Sequence, residues 1–229
     1  MNAKAISSPS STVPGTVAED TRQRLLNAAL RLFAEQGFAK TSTRELAEAA
    51  QVNIAAISYH FGDKAGLYRA VYFEPMGSPE ADITLFREAS HSLESALTAL
   101  YASFLEPLRQ GDASRLCMKL HFREWIEPTG LWDEELRTSI QPMHDVLVGV
   151  LVRSFGLPAP DDDVQRLAVL LVAPGVHLHI GRDVTDLVAP GLYDGPDAIN
   201  LWCERMLTFG MAMVHAEARR RGVALRDDG

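Results

Sequence analysis

The residues with the clearest chemical use lie in the run Val52-Asn53-Ile54-Ala55-Ala56-Ile57-Ser58-Tyr59-His60-Phe61-Gly62-Asp63-Lys64. The use is hydrogen bonding to another macromolecule. Ala55, Ala56 and Ser58 are small enough to bring a backbone against base edges, while Tyr59, His60 and Lys64 carry groups that can reach phosphates. Asn53 is a good N-cap for such a segment. The apolar residues Ile54, Ile57 and Phe61 recur at i, i+3 and i+7, one face of a helix, and can anchor it to a core. Such a helix has the composition of one that reads a DNA groove.

Other chemistry finds less support. His177 and His179 stand two apart, about 200° around a helix, so they cannot hold one ion together, and His121, His144 and His215 have no ligand spacing. No metal and no cofactor is expected. Asp161-Asp162-Asp163 follow Pro158 and Pro160 and read as a helix N-cap cluster, not a catalytic dyad. No Ser-His-Asp or Cys-His order with local activation is visible, so no enzyme is expected. Cys117 and Cys203 sit among apolar residues, where a buried thiol is ordinary.

The elements that must position the reading helix are legible around it. Ser42-Thr43-Arg44-Glu45 is a capping box that opens a helix through Leu46, Ala47, Ala49 and Ala50, and a short turn at Gln51-Val52 separates it from the next. Helix, turn and polar-faced second helix make the helix-turn-helix plan, in which the second helix enters the major groove and the first crosses the backbone. Thr43 and Arg44 are solvated residues by default and phosphate contacts if the helix crosses the DNA. An earlier helix from about Thr21 to Gln36 carries Leu25, Leu26, Ala29, Leu32 and Phe33 on one face, with Gly37 at its C-cap. Gly62-Asp63 caps a fourth helix, carrying Leu67, Ala70 and Val71, until a break at Pro75 and Gly77-Ser78-Pro79.

Residues Thr21 to Tyr72 resemble the N-terminal domain of tetracycline-repressor (TetR) family regulators. The resemblance rests on Leu32-Phe33-Ala34-Glu35-Gln36-Gly37-Phe38, on Thr41-Ser42-Thr43, and on Tyr59-His60-Phe61 followed by Lys64 and Leu67-Tyr68. A narrower likeness, to the CecR-type subgroup, rests on Asn53-Ile54-Ala55-Ala56-Ile57, Phe61-Gly62-Asp63-Lys64 and Arg123-Glu124-Trp125-Ile126-Glu127-Pro128-Thr129. One departure is Gln51, where most members carry Gly in the turn; a positive φ there costs energy. Alone, Tyr59 reads as a half-buried core tyrosine and His60 as a helix C-cap; within the motif both read as DNA contacts. Ile54, apolar where many relatives have Lys, packs or touches a thymine methyl, and packing is favoured. In this family the fourth helix links the two domains and its tilt sets the spacing of the DNA-binding heads.

The chain of 229 residues carries a net charge of −8, which disfavours nucleic acid until its distribution is seen. Residues 19–75 hold seven basic and seven acidic groups, whereas 76–229 hold fourteen and twenty-three. A neutral head makes DNA affinity depend on a few well-placed cations and helix N-termini. Beyond residue 80 no strand alternation occurs, and helical patterns run about 82–109, in one or two pieces, 113–127, 131–155, 161–182 and 196–221. The expected fold is all-α: an N-terminal three-helix helix-turn-helix DNA-binding domain, residues 19–75, linked to a larger ligand-binding and dimerisation domain of five or six helices, residues 76–229. Residues 1–18, rich in Ser, Thr, Pro and Ala, read as a disordered tail without a signal-peptide core. With no apolar run of the roughly 18–20 residues a membrane span needs, a cytoplasmic protein is expected.

The resemblance implies a double-stranded DNA operator of pseudo-palindromic sequence, an unknown small-molecule effector bound inside the helical body, and a homodimer. Tyr101, Phe104, Met118, His121, Phe122, Trp125, His177 and Arg182 lie on helices expected to line such a cavity, and Pro174-Gly175 is expected to kink one of them. Leu167, Leu170, Leu171 and Pro174 form one apolar stripe, and Leu201, Met206, Phe209 and Met213 another, for a four-helix dimer interface. The rival is a helical-bundle ligand-binding protein or enzyme whose first seventy residues only pack. The charge favours it slightly; the motif at 53–64 outweighs it.

Overall fold

In the computed structural model, residues 14–73, 79–131 and 133–226 are described, and every regular element among them is an α-helix. The chain divides into two compact units, with the division between Val71 and Tyr72. The expected breaks at Pro75 and Gly77-Ser78 lie outside the described residues, as do positions 1–13 of the expected tail.

The first unit begins with α1, Pro14–Gln36, which starts inside the stretch read as a tail. Proline fits that first helical position because its φ is preset and its missing N–H is not needed there. Leu25, Leu26, Ala29, Leu30, Phe33 and Ala34 form the buried face of α1, and Gly37, at φ 82°, ends it by donating to the Phe33 carbonyl at 2.9 Å. Helix α2, Thr43–Ala50, opens on the expected capping box: Ser42 Oγ accepts from Glu45 N–H at 3.1 Å, and Glu45 Oε2 accepts from Ser42 N–H at 2.8 Å. It buries Leu46, Ala47 and Ala50 and ends at Gln51 in the left-handed region, φ 55° and ψ 47°. Val52 N–H bonds to the Ala47 carbonyl and Gln51 N–H to that of Glu48, at 2.9 and 3.0 Å, the pair of bonds that defines a Schellman end. Arg24 on α1 then donates Nη2 to the carbonyls of both Ala50 and Gln51. A glycine position is thus filled by glutamine and held from outside.

The reading helix α3 is Ala55–Phe61, and Gly62, at φ 81°, turns the chain into α4, Lys64–Phe73. Asp63 Oδ1 accepts from Gly66 N–H at 2.7 Å and so caps α4 as expected. Gly66 is required by contact: a Cβ there would stand 1.9 Å from the Phe61 carbonyl oxygen. Tyr68 on α4 meets Phe33 edge-on at 4.9 Å and Phe38 at 4.9 Å, which joins α4 to the core of α1.

The second unit holds seven described helices where five or six were expected. They are α5, Pro79–Ala89; α6, Leu93–Arg109; α7, Asp112–Ile126; α8, Asp133–Phe155; α9, Asp162–Ile180; α10, Arg182–Val188; and α11, Ala198–Arg221. Helix α6 packs against α5, α7, α8, α9 and α11 and buries Leu93, Ala96, Leu97, Leu100, Tyr101 and Leu105. The expected kink at Pro174-Gly175 does not end α9, which runs on to Ile180; the break comes at Gly181, and α10 leaves at 78°. Asp161 caps α9 through Val164 N–H at 2.9 Å and takes both Nη atoms of Arg221 at 2.7 and 2.8 Å, so one carboxylate fastens the start of α9 to the end of α11. That guanidinium holds Asp161 well below the usual carboxylate range.

Two substitutions test this account of the head. Gln51→Gly is expected to stabilise the chain by roughly 0.5–1 kcal/mol, since relief of the left-handed strain exceeds the added chain entropy. Gly66→Ala is expected to cost about 1–3 kcal/mol by overpacking. Denaturant unfolding of both variants checks the pair. Loss of stability in Gln51→Gly would contradict the strain assigned to the turn.

Candidate nucleic-acid interface

Helix α3 is anchored through one residue and open on the rest of its surface. Ile57 is 2% exposed and forms the anchor, Ala56, His60 and Phe61 are half-buried, and Asn53, Ala55, Ser58 and Tyr59 face solvent. Asn53 Oδ1 accepts from Ala55 N–H at 2.9 Å, so the expected cap is present, although it lies one residue before the αR residue Ile54 that precedes the helix. Tyr59 is 81% exposed and stands edge-on to His60 at 4.8 Å. An aromatic ring so open on a short anchored helix has no packing role of its own. At the start of α2, Thr43 is half-buried, and Arg44 is exposed and paired with Glu48 at 2.8 Å. These residues come from two consecutive helices held by one core.

Two expectations in this region are corrected. Ile54 was expected to pack but is 50% exposed, because the turn of α3 that contacts α1 is centred on Ile57. Lys64 was expected to face phosphate. Its Nζ instead donates to the carbonyls of Phe38 and Thr41, each at 2.8 Å, and lies 4.1 Å from the centroid of the Phe38 ring. The loop between α1 and α2 exposes two unpaired carbonyls, and the lysine stem is long enough to satisfy both from α4. Burial pushes the Lys64 ammonium below its ordinary pKa.

The eight candidate ligand residues of the body differ in burial, from Tyr101 in the core to His177 at the surface. Tyr101 is fully buried, its hydroxyl has no hydrogen-bond partner among the described residues, and burial pushes its pKa up to about 12. Its ring closes against α11, where a Cβ on Gly210 would stand 2.4 Å from the hydroxyl. Phe104, Met118, His121 and Phe122 lie on α6 and α7, with Met118 and Phe122 buried. His179, missed in the sequence because its spacing from His177 was read only for metal, donates Nε2 to the Phe104 carbonyl at 2.7 Å and stacks on Phe122 at 5.2 Å. His121 stacks on Tyr72 with 3.5 Å between centroids and 11° between planes, and its Nδ1 lies 3.1 Å from the Cys117 carbonyl. Trp125 meets Phe122 edge-on but is 45% exposed, and His177 is exposed, so neither lies inside a cavity. Arg182 pairs with Asp186 at 2.9 Å and covers the Tyr193 ring at 3.7 Å, at the surface of α10.

An open cleft of about 440 Å³ lies between α5 and α8, lined by Arg87, Pro142, Asp145, Val146, Gly149 and Arg153. None of the eight expected residues borders it. Glu124, within the segment that carried the narrower likeness, is 2% exposed and accepts from Thr129 N–H at 2.6 Å and Thr129 Oγ1 at 2.8 Å. That part of the segment fixes the end of α7. Among the described residues, no group of three or more His, Cys, Asp or Glu could hold a metal, and no single helix is long and apolar enough to cross a membrane.

Comparison with known proteins agrees with this layout. Residues 25–71 match the family described as bacterial regulatory proteins, tetR family, and residues 93–216 match the C-terminal domain of the HTH-type transcriptional dual regulator CecR. The chain is 29% identical to CecR of Shigella flexneri over 196 residues, 78% of this chain and 82% of that protein. It is 35% identical to the regulator AcrR of Shigella flexneri over 109 residues, 47% of this chain but only half of AcrR. The fold is shared with NalD, described as the secondary repressor of the MexAB-OprM multidrug efflux pump in Pseudomonas aeruginosa, at a TM-score of 0.60 and 23% identity, covering 84% of this chain and 97% of NalD. The chain is therefore a DNA-binding transcriptional regulator of the TetR family, with a C-terminal domain of the CecR type.

Proposed function

We propose that this regulator acts in the cytoplasm as a repressor that binds a pseudo-palindromic operator as a homodimer and is released by a small molecule bound in the helical body. The observation that carries the DNA-binding part is the open outer surface of α3, above all Tyr59 at 81% exposure beside Ser58, Ala55 and Asn53. Base edges are met by Ala55, Ala56 and Ser58, and phosphates by Thr43, Arg44, Tyr59 and His60, with Asn53 shaping the start of the helix. Lys64 acts at one remove, by holding the loop that precedes α2. With two-fold symmetry, two heads entering successive major grooves on one face of the duplex stand about 34–36 Å apart.

The dimer face is assigned to α9 and α11 with a changed residue set. Leu167 and Leu171 are buried inside the unit, as is Met206, and Met213 is only half-exposed. Leu170 and Pro174 on α9 and Leu201 and Phe209 on α11 remain exposed, joined by Val169. Burying that apolar surface against a second copy is favourable. For the effector, Phe104, His121 and Phe122 of the expected set form a cluster with His179, which was not in that set, and through Tyr72 the cluster touches the end of α4. A molecule that prefers the body with the Tyr72–His121 stack opened would bias α4, and by linkage weaken DNA binding.

Two outcomes are expected. Tyr59→Ala weakens operator binding by about 1–3 kcal/mol with an unchanged melting curve, whereas Lys64→Ala lowers stability by a similar amount, because it strands two carbonyls. Parallel anisotropy and thermal-melt measurements separate the two roles; operator binding that survives Tyr59→Ala removes α3 from the interface. The second outcome concerns His121, which its surroundings push down to about 3 and so keep neutral in the folded chain. Its ordinary value is 6.5, so the unfolded chain takes up a proton that the folded chain refuses. The His121 contribution is therefore complete above about pH 6.5 and is lost as pH falls toward 3, at up to about 1.4 kcal/mol per pH unit. Urea unfolding at pH 7 and pH 5 is expected to show a larger loss for the wild-type chain than for His121→Phe, which keeps a ring and removes the titration.

A further inference from the structure

Among the described residues of the first unit, the large apolar or aromatic side chains left markedly exposed are Ile54 and Tyr59, and both belong to the α3 segment. A lone exposed isoleucine is ordinary on a protein surface. Here the exposure is confined to one short segment of the head. The backbone of Ile54 is already helical, at φ −55° and ψ −30°, and its carbonyl accepts from Ile57 N–H at 3.2 Å. Its side chain therefore projects as part of the first turn, about 40° around the axis from exposed Ser58 at i+4. In a helix that enters the major groove, the N-terminal residues are those that contact base edges.

The chemistry offered there is narrow. From Val52 to Asp63 there is no Lys or Arg. The commonest specific contact with guanine, a bidentate bond from Arg or Lys to O6 and N7, is thus not available from this segment. The neighbouring cations are engaged within the head, Lys64 on the carbonyls of Phe38 and Thr41, and Arg44 on Glu48. Adenine is read by an amide that presents its oxygen and nitrogen together, and Asn53 turns its Oδ1 back onto Ala55 N–H. The hydroxyls of Ser58 and Tyr59 can bond to several bases. What distinguishes this surface is the aliphatic carbon of Ile54 and Ala55. The aliphatic group on the base edges of the major groove is the C5-methyl of thymine.

On the assignment of α3 to the major groove, on which this depends, we propose that Ile54 is a specificity-determining residue that packs, with Ala55, on the C5-methyl group of a thymine in each operator half-site. Contact removes both apolar surfaces from water, and the gain follows the area buried. A cytosine or purine at the same position presents polar edge atoms to the isoleucine, which desolvates them without a partner. Ile54 thus selects thymine where the hydroxyls beside it do not choose.

The probe is a random-sequence duplex library, from which the full-length chain and its Ile54→Ala variant each select binding sites. The wild type is expected to enrich symmetric half-sites with a fixed thymine at one position, where the variant accepts other bases while keeping the rest of the site. Uracil keeps every hydrogen-bonding group of thymine and lacks only the methyl. Replacing that thymine by uracil in both half-sites of the selected duplex is expected to weaken wild-type binding about 15-fold in anisotropy titrations, or about fourfold for each methyl lost. The variant is expected to bind both duplexes equally. Should Ile54→Ala perturb folding in a thermal melt, Ile54→Gln takes its place with the same expected outcome. Wild-type binding that ignores the swap, or a variant that loses as much as the wild type on it, overturns the role of Ile54 while leaving α3 in the groove. Failure of the wild type to enrich any sequence removes the groove assignment of α3 itself, and this contact with it.

Discussion

The position of α3 depends on cations that end inside the head. Lys64 reaches from the first residue of α4 to the carbonyls of Phe38 and Thr41, and Arg24 reaches from α1 to those of Ala50 and Gln51. The first contact ties α4 to the loop before α2, and the second secures the turn after it. Helix α3 hangs between those two ties, with little buried surface of its own beyond Ile57. The arrangement removes two of the seven basic groups of residues 19–75 from the side available to DNA, in a segment that has no net charge to spare. Few cations are then left for counterion release, so weak non-specific attraction to DNA is expected.

The body relies on a different device. Its central helix α6 is apolar on most sides, and the charged fastening is placed at one end, where Asp161, Asp163, Glu217, Arg220 and Arg221 join the start of α9 to the end of α11. Surface ion pairs are individually weak, but a shared network with paired contacts on Arg221 holds two helices in register. At the other side of the unit the stack of Tyr72 on His121 is the link to α4. From Lys64 to Tyr72 is about 12 Å along a helix, and the division between the two units falls within α4, just before Tyr72.

Much of this was readable from the chain because local rules and the fold agree. The capping box at Ser42 and Glu45, the end of α1 at Gly37, the cap at Asp63 and the cap at Asp161 all form as their residue types dictate. Gln51 does take the left-handed conformation that its departure from glycine made costly, and only the structure shows that Arg24 offsets the cost. The failures have a common cause. A periodic pattern says that a helix has an apolar stripe, but not which stripe meets its own unit and which a partner, so Leu167 and Leu171 were grouped with Leu170 and Pro174. Core and cavity have the same composition, so the sequence alone does not separate a pocket residue from a core residue such as Tyr101, which is buried beside Gly210. Lys64 was assigned to phosphate because a sequence does not show which loop carbonyls are left unpaired nearby. Seven residues after Gly181 are too few to give a period, and α10 was therefore missed.

The central claim is that α3 reads a specific DNA sequence. It is tested most directly by fluorescence-anisotropy titration of the wild-type chain against the DNA upstream of its own gene, at two salt concentrations and with excess unrelated competitor. Saturable binding that withstands the competitor and falls with salt according to the few phosphates neutralised is expected. Weak binding that any DNA abolishes equally, on this and every other segment of a genome-wide screen, would contradict it.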